Sequence, residues 1–261
     1  MKRPEYKTTL QDLVAVKLPE QTKRYKPVSH GQLIDLTLNG IEKAGFKLDK
    51  QSYNWAADGQ VANGKYTISN IADREMQIQI AWQNSYNKQV SLKFAIGIHV
   101  FICANGMVNG DMGTFKRKHT GDVQEFTPQS ITEYIRSAGD SFREMQIQRE
   151  LMKQVELTKR QQGELIGRMI VEEGFISSSE LNIIRKELQH PTHNYGAENS
   201  LWELYQHTTF SLKETHPTNW MTDHMSAHSF FVNAQGELIT QRKPAVITAH
   251  QLAYQQLELS L

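Results

Sequence analysis

Residues 76–108 read MQIQIAWQNSYNKQVSLKFAIGIHVFICANGMV and contain the clearest periodicity of the chain. Apolar residues occupy every second position from Val90 to Ile102, while the other positions carry a mixture that includes Lys93 and His99. Only an extended strand places alternate side chains on opposite faces. The polar run 84–88 separates this strand from a similar one at 76–82. The pattern therefore predicts an antiparallel hairpin with one covered apolar face and one open mixed face.

Further strands and a helix are predicted before this hairpin. Ser29 is a good N-cap and Gly45 a good stop, so we expect a helix between them. Two strand-like segments, 46–55 and 61–69, are joined at Asp58-Gly59, a favoured hairpin turn. The order is then one helix followed by four antiparallel strands.

Helices are predicted after the hairpin. Pro128 begins a helical stripe that should lie across the apolar face, bend near Gly139 and end at 161–163. Shorter helices are expected at 165–171, 177–188 and 199–212. The predicted fold class is α+β, with an antiparallel sheet of about four to five strands, a long helix packed on one face and a helical C-terminal region. The predicted domains are a basic N-terminal arm (1–27), an α+β core domain (28–160) and a mostly helical C-terminal region (161–261).

Composition excludes several classes of protein. The chain of 261 residues is 39% hydrophobic and 22% charged, which is ordinary for a globular protein. No apolar run approaches the roughly 20 residues that cross a bilayer, and the N-terminus lacks the apolar segment of a signal peptide. We therefore expect a cytoplasmic protein without a membrane partner. A single cysteine, Cys103, excludes an internal disulfide and a multi-cysteine zinc site.

Charge is distributed unevenly along the chain. Residues 1–160 contain 23 Lys/Arg and 17 Asp/Glu, a net +6, whereas residues 161–261 contain 6 and 11, a net −5. A basic half joined to an acidic half is compatible with a polyanion-binding domain and a separate contact region. Ordinary variation in surface charge explains the same numbers equally well.

Two basic clusters and two strand positions are candidate nucleic-acid contacts. Cations beside an aromatic ring suit phosphate contact with base stacking, and a glycine-flanked basic loop can hold phosphate oxygens. Solvated surface segments are the alternative interpretation of both clusters, and a partly buried structural role is the alternative for the histidine of the strand. The candidates are Lys23, Arg24, Tyr25, Lys26, Lys93, His99, Lys116, Arg117, Lys118 and His119.

Catalytic and metal-binding patterns are weak. His224 and His228 are four residues apart, with His216 upstream, but the zincin pattern requires a Glu where Met225 follows the first histidine. We expect these histidines to pack or face solvent, so no metal and no cofactor are predicted. The sequence contains no recognisable set of nucleophile, base and orienting group. We therefore expect a protein that is not an enzyme.

Four ordered motifs resemble a known family. They are Tyr25-Lys26-Pro27-Val28, Phe101-Ile102-Cys103-Ala104-Asn105-Gly106-Met107, Lys116-Arg117-Lys118-His119-Thr120-Gly121 and Leu201-Trp202-Glu203-Leu204-Tyr205. Together they are similar to the DUF932 group, phage- and plasmid-like proteins of mobile elements whose function is largely unknown. The run 206–210 departs from the Asn-Ala-Val-Thr-Glu-like run expected there. The resemblance implies a mobile-DNA context and no particular activity.

The leading hypothesis is a phage- or plasmid-encoded protein that binds nucleic acid. The order of antiparallel strands and a long helix resembles the core of Rad52-type proteins, so binding or annealing of single-stranded DNA during recombination is the specific version. The alternative is an interaction module that inhibits or diverts a host defence or replication factor. Its support is the acidic C-terminal half, with four aromatic residues available for contact: Trp202, Tyr205, Trp220 and Phe230.

Self-association is the last expectation from the sequence. The predicted long helix extends beyond the sheet, and its distal part keeps Leu151, Met152 and Val155 in helical register. A narrow apolar seam of this kind suits packing against another helix. We therefore expect a homo-oligomer in which the seam contacts a neighbouring subunit, with the C-terminal helices of the same chain as the alternative contact.

Overall fold

An antiparallel sheet forms the centre of the computed structural model, which describes residues 6–23, 25–69, 73, 75–100, 105–108, 115–117, 128–233 and 237–240. Its strands are β1 (Lys7–Thr8), β2 (Leu48–Ala56), β3 (Val61–Ile68), β4 (Met76–Ser85), β5 (Leu92–Val100), β6 (Asn105–Val108) and β7 (Phe115–Arg117). Neighbouring strands follow the order β1-β2-β3-β4-β5-β6, and β7 pairs with the remaining part of β5. All pairings are antiparallel.

The predicted hairpins are confirmed. Strands β4 and β5 pair from Met76 opposite Val100 to Gln83 opposite Lys93, so the period of two in the sequence is the period of the sheet. Strands β2 and β3 are joined at the predicted Asp58-Gly59 turn, where both residues have positive φ, 52° and 82° respectively. Such a turn matches the twist of the strands on either side.

Helices surround the sheet. They are α1 (Leu10–Ala15), α2 (His30–Lys43), α3 (Pro128–Arg136), α4 (Ala138–Gln154), α5 (Lys159–Val171), α6 (Ser178–Gln189), α7 (Leu201–Ser211) and α8 (Trp220–Phe231), with a short 3-10 helix at Leu212–Glu214. The expected bend lies between α3 and α4, next to Gly139. The predicted α+β class, with a helix on one sheet face and a helical C-terminal region, is confirmed.

Helices α2, α3 and α4 cover the apolar face of the sheet. The Tyr134 hydroxyl of α3 accepts a hydrogen bond from the Ile96 backbone N–H at 3.2 Å, and its ring lies 5.8 Å from that of Phe94. Gly40 lets α2 approach α3 closely, since a Cβ there would come within 2.7 Å of Ile135. Phe142 and Met145 of α4 belong to the same buried core. This face is packed as the sequence predicts.

The opposite face is not open, and that prediction is wrong. Pro217 and the residues after it run across the strands, and the side-chain amides of Asn63 and Gln83 donate to the Pro217 carbonyl at 3.1 and 2.6 Å. The first residues of α8 then pack on Ala81 and Ala95, which are opposed in register. Two alanines leave a shallow surface that a helix can approach closely, so α8 covers the centre of the mixed face.

Two local details differ from what the sequence indicates. The predicted basic arm (1–27) contains a helix, because Thr9 and Asp12 form a capping box that begins α1 and places Leu13 in the core. The glycine at 163 does not end a helix. Thr158 and Gln161 form another capping box, so α5 begins at Lys159 and includes this glycine.

Candidate nucleic-acid interface

The N-terminal arm is fixed to the turn between β4 and β5 by two tyrosines. The Tyr25 hydroxyl donates to the Tyr86 carbonyl at 2.7 Å, and the Tyr86 hydroxyl accepts from the His30 backbone N–H at 2.8 Å. The His30 and Tyr86 rings stack with their centroids 4.1 Å apart. Burial raises the pKa of both tyrosine hydroxyls, so both remain neutral. The arm is therefore held at the turn end of the β4–β5 hairpin.

The arm presents cations rather than an aromatic ring. The Tyr25 ring is only 6% exposed, and the Lys88 Nζ lies 4.6 Å from its centroid. This placement disfavours the predicted stacking of Tyr25 on bases. Lys23 is exposed and Lys26 is half-buried, while Arg24 lies outside the described residues. Sequence reasoning missed Lys88, although its place in the polar turn was the available signal.

Strand β7 brings the second predicted cluster to the same end of the sheet. Lys116 is the Cα partner of Lys93, and Arg117 is the partner of Leu92, the first residue of β5 after the turn. The Lys93 Nζ donates to the Thr222 hydroxyl of α8 at 2.5 Å. The other two members of this cluster, Lys118 and His119, lie outside the described residues.

Two sequence-distant basic segments therefore meet at one end of the hairpin. We call this set of residues the basic end: Lys23, Lys26, Lys88, Lys93, Lys116 and Arg117. An acidic group borders it on α8. Burial and then the charge of Glu180 raise the pKa of Asp223 to about 7, although the charge of Lys93 acts in the opposite direction. Protonation or deprotonation of Asp223 therefore changes the charge beside the basic end near neutral pH.

His99 does not belong to the basic end. It lies six residues beyond Lys93 on β5, a separation of about 20 Å along a strand. Burial and the charges of nearby lysines lower the pKa of His99 to about 4, so the ring is neutral at physiological pH. A neutral, half-buried histidine at this distance cannot act together with Lys93 on one phosphate.

Two of the three histidines considered for a metal site are packing residues. His224 and His228 of α8 are each 1% exposed, whereas His216 is exposed. Burial lowers the pKa of His228 to about 4, and its Nδ1 lies 3.3 Å from the Tyr205 hydroxyl. Within the described part of the chain, no three His, Cys, Asp or Glu residues are grouped closely enough to hold a metal ion.

The aromatic residues proposed for protein contact are also internal. Trp202, Tyr205, Trp220 and Phe230 are between 0% and 3% exposed. Their burial removes the aromatic surface on which the interaction-module hypothesis relied. The exposed apolar side chains lie elsewhere, on α4 and α5 among other elements.

No helix among the described residues is both long enough and apolar enough to span a membrane.

Comparisons with known proteins identify a family. Neither the curated proteins nor the solved structures contain a significant match to the chain. The family model described as DUF932, a domain of unknown function, matches residues 17–230 and thus most of the chain, including strands β2 to β7, helices α2 to α7 and nearly all of α8. The chain therefore belongs to the DUF932 family.

Proposed function

We propose that this protein binds single-stranded nucleic acid through its basic end. The observation that carries the proposal is the convergence of the arm and β7 at one end of the β4–β5 hairpin. The hydrogen bond from Tyr25 to Tyr86 fixes the first segment there, and the pairing of Lys116 with Lys93 fixes the second. Clustered lysines and arginines contact phosphates without reading bases, so binding would be independent of sequence.

The register of β7 supports an anionic partner. Like charges placed directly opposite each other weaken an antiparallel pair, yet Lys93 and Lys116 occupy such a position. A phosphate contacted by both lysine side chains would offset this repulsion, which gives a physical reason for cations at these positions.

A single strand fits the size of the basic end better than a duplex. Duplex DNA is stiff over about 150 base pairs, so it does not bend to follow a short cluster of cations. A single strand bends easily and can follow a short cluster of cations. Strand annealing, as in Rad52-type proteins, is the more specific form of the proposal, and it rests on the shared order of antiparallel strands and a crossing helix.

The test is a salt titration of binding to a labelled single-stranded oligonucleotide, measured by fluorescence anisotropy. The variant K116A/R117A/K118A removes three cations from the second cluster. We expect the affinity at low salt to fall by roughly tenfold or more. The slope of log K against log salt should decrease by about 2, since each lost phosphate contact removes about 0.7 for a single strand.

A matched control separates this effect from a general loss of charge. The variant K159A/R160A/K186A removes the same charge from exposed positions on α5 and α6. We expect its affinity and salt slope to match those of the wild type. Absence of binding by the wild-type protein at low salt would contradict the proposal, as would equal losses in the two variants.

Inhibition or diversion of a host defence or replication factor remains the alternative function. Its aromatic support is buried, so a partner would have to contact other surfaces of the chain. Capture of one stoichiometric host protein that persists after nuclease treatment would favour this alternative. Capture that nuclease abolishes would favour the nucleic-acid proposal.

A further inference from the structure

A second group of cations lies at the other end of the sheet, on the face that α8 covers in part. One row of opposed residues crosses four strands in the order Lys50, Thr67, Gln79, Gly97. Lys65 is two residues from Thr67, and His99 is two residues from Gly97. Residues two apart on a strand share a face, so the row, Lys65 and His99 lie on the same side of the sheet.

Lys213 of the 3-10 helix completes this group. Its charge acts on both Lys65 and His99, and its Nζ lies 4.3 Å from the Phe210 ring at the end of α7. We call Lys50, Lys65 and Lys213 the lysine cluster. Asp49 opposes these three charges with one negative charge near His99.

Lys65 is held in place by α8. Its Nζ lies 3.8 Å from the centroid of the Trp220 ring, which is 3% exposed. Burial, followed by the charge of Lys213, lowers the pKa of Lys65 to about 8. An ammonium group on an indole face keeps its charge but lacks the strong acceptor that a carboxylate would provide.

A buried amide lies in the same row. Gln79 is 6% exposed, and its Oε1 has no hydrogen-bond partner. The oxygen and nitrogen of a glutamine amide are assigned from their surroundings. Rotation of the amide by half a turn would place its NH₂ group where the oxygen without a partner now lies, and an anion there would accept its hydrogen bond. An unsatisfied buried polar group is costly, so a ligand at this position would be stabilising.

We propose that the lysine cluster binds a phosphate group, with Lys50, Lys65 and Lys213 supplying charge and Gln79 donating a hydrogen bond from the sheet. The charges of all three lysines act on His99, and three neighbouring ammonium groups match a multiply charged oxyanion better than a single carboxylate. The phosphate comes either from a free phosphate or phosphate monoester, or from the backbone of a bound strand. The proposal does not depend on the basic end, because the two sites share no residue.

The test uses the full chain labelled for NMR and titrated with inorganic phosphate. Chloride at matched ionic strength provides the reference titration. We expect saturable shifts of the Trp220 indole N–H and the Gln79 side-chain amide. The variants K213M and Q79M should each weaken phosphate binding by about tenfold or more, because each removes a hydrogen bond to a charged group.

The variant K186M is the matched control, since Lys186 is an exposed lysine on α6. Its phosphate affinity should equal that of the wild type. Lys213 is itself exposed, so K213M tests the site without disturbing the core. Shifts that stay linear with concentration, or an equal loss in K186M and K213M, would overturn the proposal.

Competition with an oligonucleotide distinguishes the two sources of phosphate. Displacement of inorganic phosphate by the strand, together with weaker strand binding by K213M, assigns the site to the nucleic-acid backbone. Strand binding without displacement assigns it to a free phosphate or a phosphate monoester. The variant K116A/R117A/K118A should keep the phosphate affinity of the wild type. The two proposals can therefore fail separately: loss of strand binding tests the basic end, and loss of phosphate binding tests the lysine cluster.

Discussion

At the scale of single residues, Asp223 shows how burial and a neighbouring carboxylate together raise a pKa against the opposing charge of a lysine. Its carboxyl is half-buried in the first turn of α8, near Glu180 and Lys93. Glu180 is committed to other partners, since it accepts hydrogen bonds from the Ser177 backbone N–H at 2.7 Å and the Thr215 hydroxyl at 2.5 Å. Burial and the nearby Glu180 therefore raise the pKa of Asp223 to about 7, so Asp223 keeps its proton up to about that pH.

This arrangement predicts a pH-dependent gain of stability in D223N. Because the folded pKa of about 7 exceeds the ordinary aspartate pKa of 3.8, the folded state keeps its proton between these two pH values, whereas the unfolded state loses it. Stability from this group is therefore present at low pH and is lost as pH rises to about 7. Near pH 8 we expect D223N to be about 1–2 kcal/mol more stable than the wild type, a value reduced for partial exposure.

Urea unfolding at about pH 4 and about pH 8 measures this difference, which should nearly vanish at the lower pH. The control E164Q removes an exposed carboxylate of α5, and its effect should be the same at both pH values. A gain in D223N that does not change with pH would contradict the argument.

At the scale of elements, α4 is tied to the start of β4 by a buried ion pair. The Arg149 side chain, 10% exposed, places Nη1 3.1 Å from an oxygen of Asp73. Asp73 also accepts hydrogen bonds from the backbone N–H groups of Glu75 and Met76, at 2.8 and 3.0 Å. Lys153, one turn further along α4, contacts Glu75 at 2.8 Å. One carboxylate thus both shapes the entry to the strand and anchors the helix.

Removal of the buried partner should be costly. In R149M the Asp73 charge stays buried without its guanidinium, so we expect the free energy of unfolding to fall by about 2–4 kcal/mol. The matched control is R143M on the same helix, where the partner is Asp140 and both side chains are more than 70% exposed. That change should cost at most about 0.5 kcal/mol. Chemical denaturation of both variants measures these free energies of unfolding. Similar losses of stability in R149M and R143M would refute the role of burial.

The elements differ in how far the sequence reveals them. The sheet and α2 follow from local signals: the period of two around Ile96, the Ser29 capping box and the left-handed Gly45. Helix α8 does not, because its buried residues surround the helix and include His224 and His228. Without an apolar stripe, only the tertiary structure shows that it covers the mixed face.

The candidate sites are likewise only partly predictable from the sequence. Composition points to the basic segments, but the meeting of the arm with β7 depends on the buried contact of Tyr25 with Tyr86 and on the pairing of Lys116 with Lys93. Neither contact has a periodic signal. The sequence does not reveal the lysine cluster either, since its members come from two strands and a 3-10 helix far apart in the chain.

At the scale of the whole molecule, self-association remains a prediction. The structure narrows the surface that could mediate it to the exposed side chains of α4. Of the predicted seam on α4, Met152 is fully buried and Val155 packs against the core, whereas Leu151 is 38% exposed. One turn earlier, Ile147 is 62% exposed. The apolar surface available to a second copy is therefore formed by Ile147 and Leu151.

Light scattering of the wild-type protein should report a mass well above 30.0 kDa. The variant I147D/L151D should lower it toward the mass of one chain, because it places two charges in the contact. The control V171D changes an apolar side chain that is 82% exposed on α5, and it should leave the mass unchanged. A wild-type protein that is monomeric at micromolar concentration would contradict the prediction.

The segment from Pro217 onward, which crosses the mixed face, also has a consequence for biosynthesis. Gln83 and the Pro217 carbonyl that it contacts are 134 residues apart in the chain. At about 5–20 residues per second, a ribosome needs on the order of ten seconds to synthesise the intervening segment. During that interval the nascent sheet has its polar amides and its two central alanines uncovered. A chaperone that recognises the growing chain would therefore meet this face before α8 emerges to cover it.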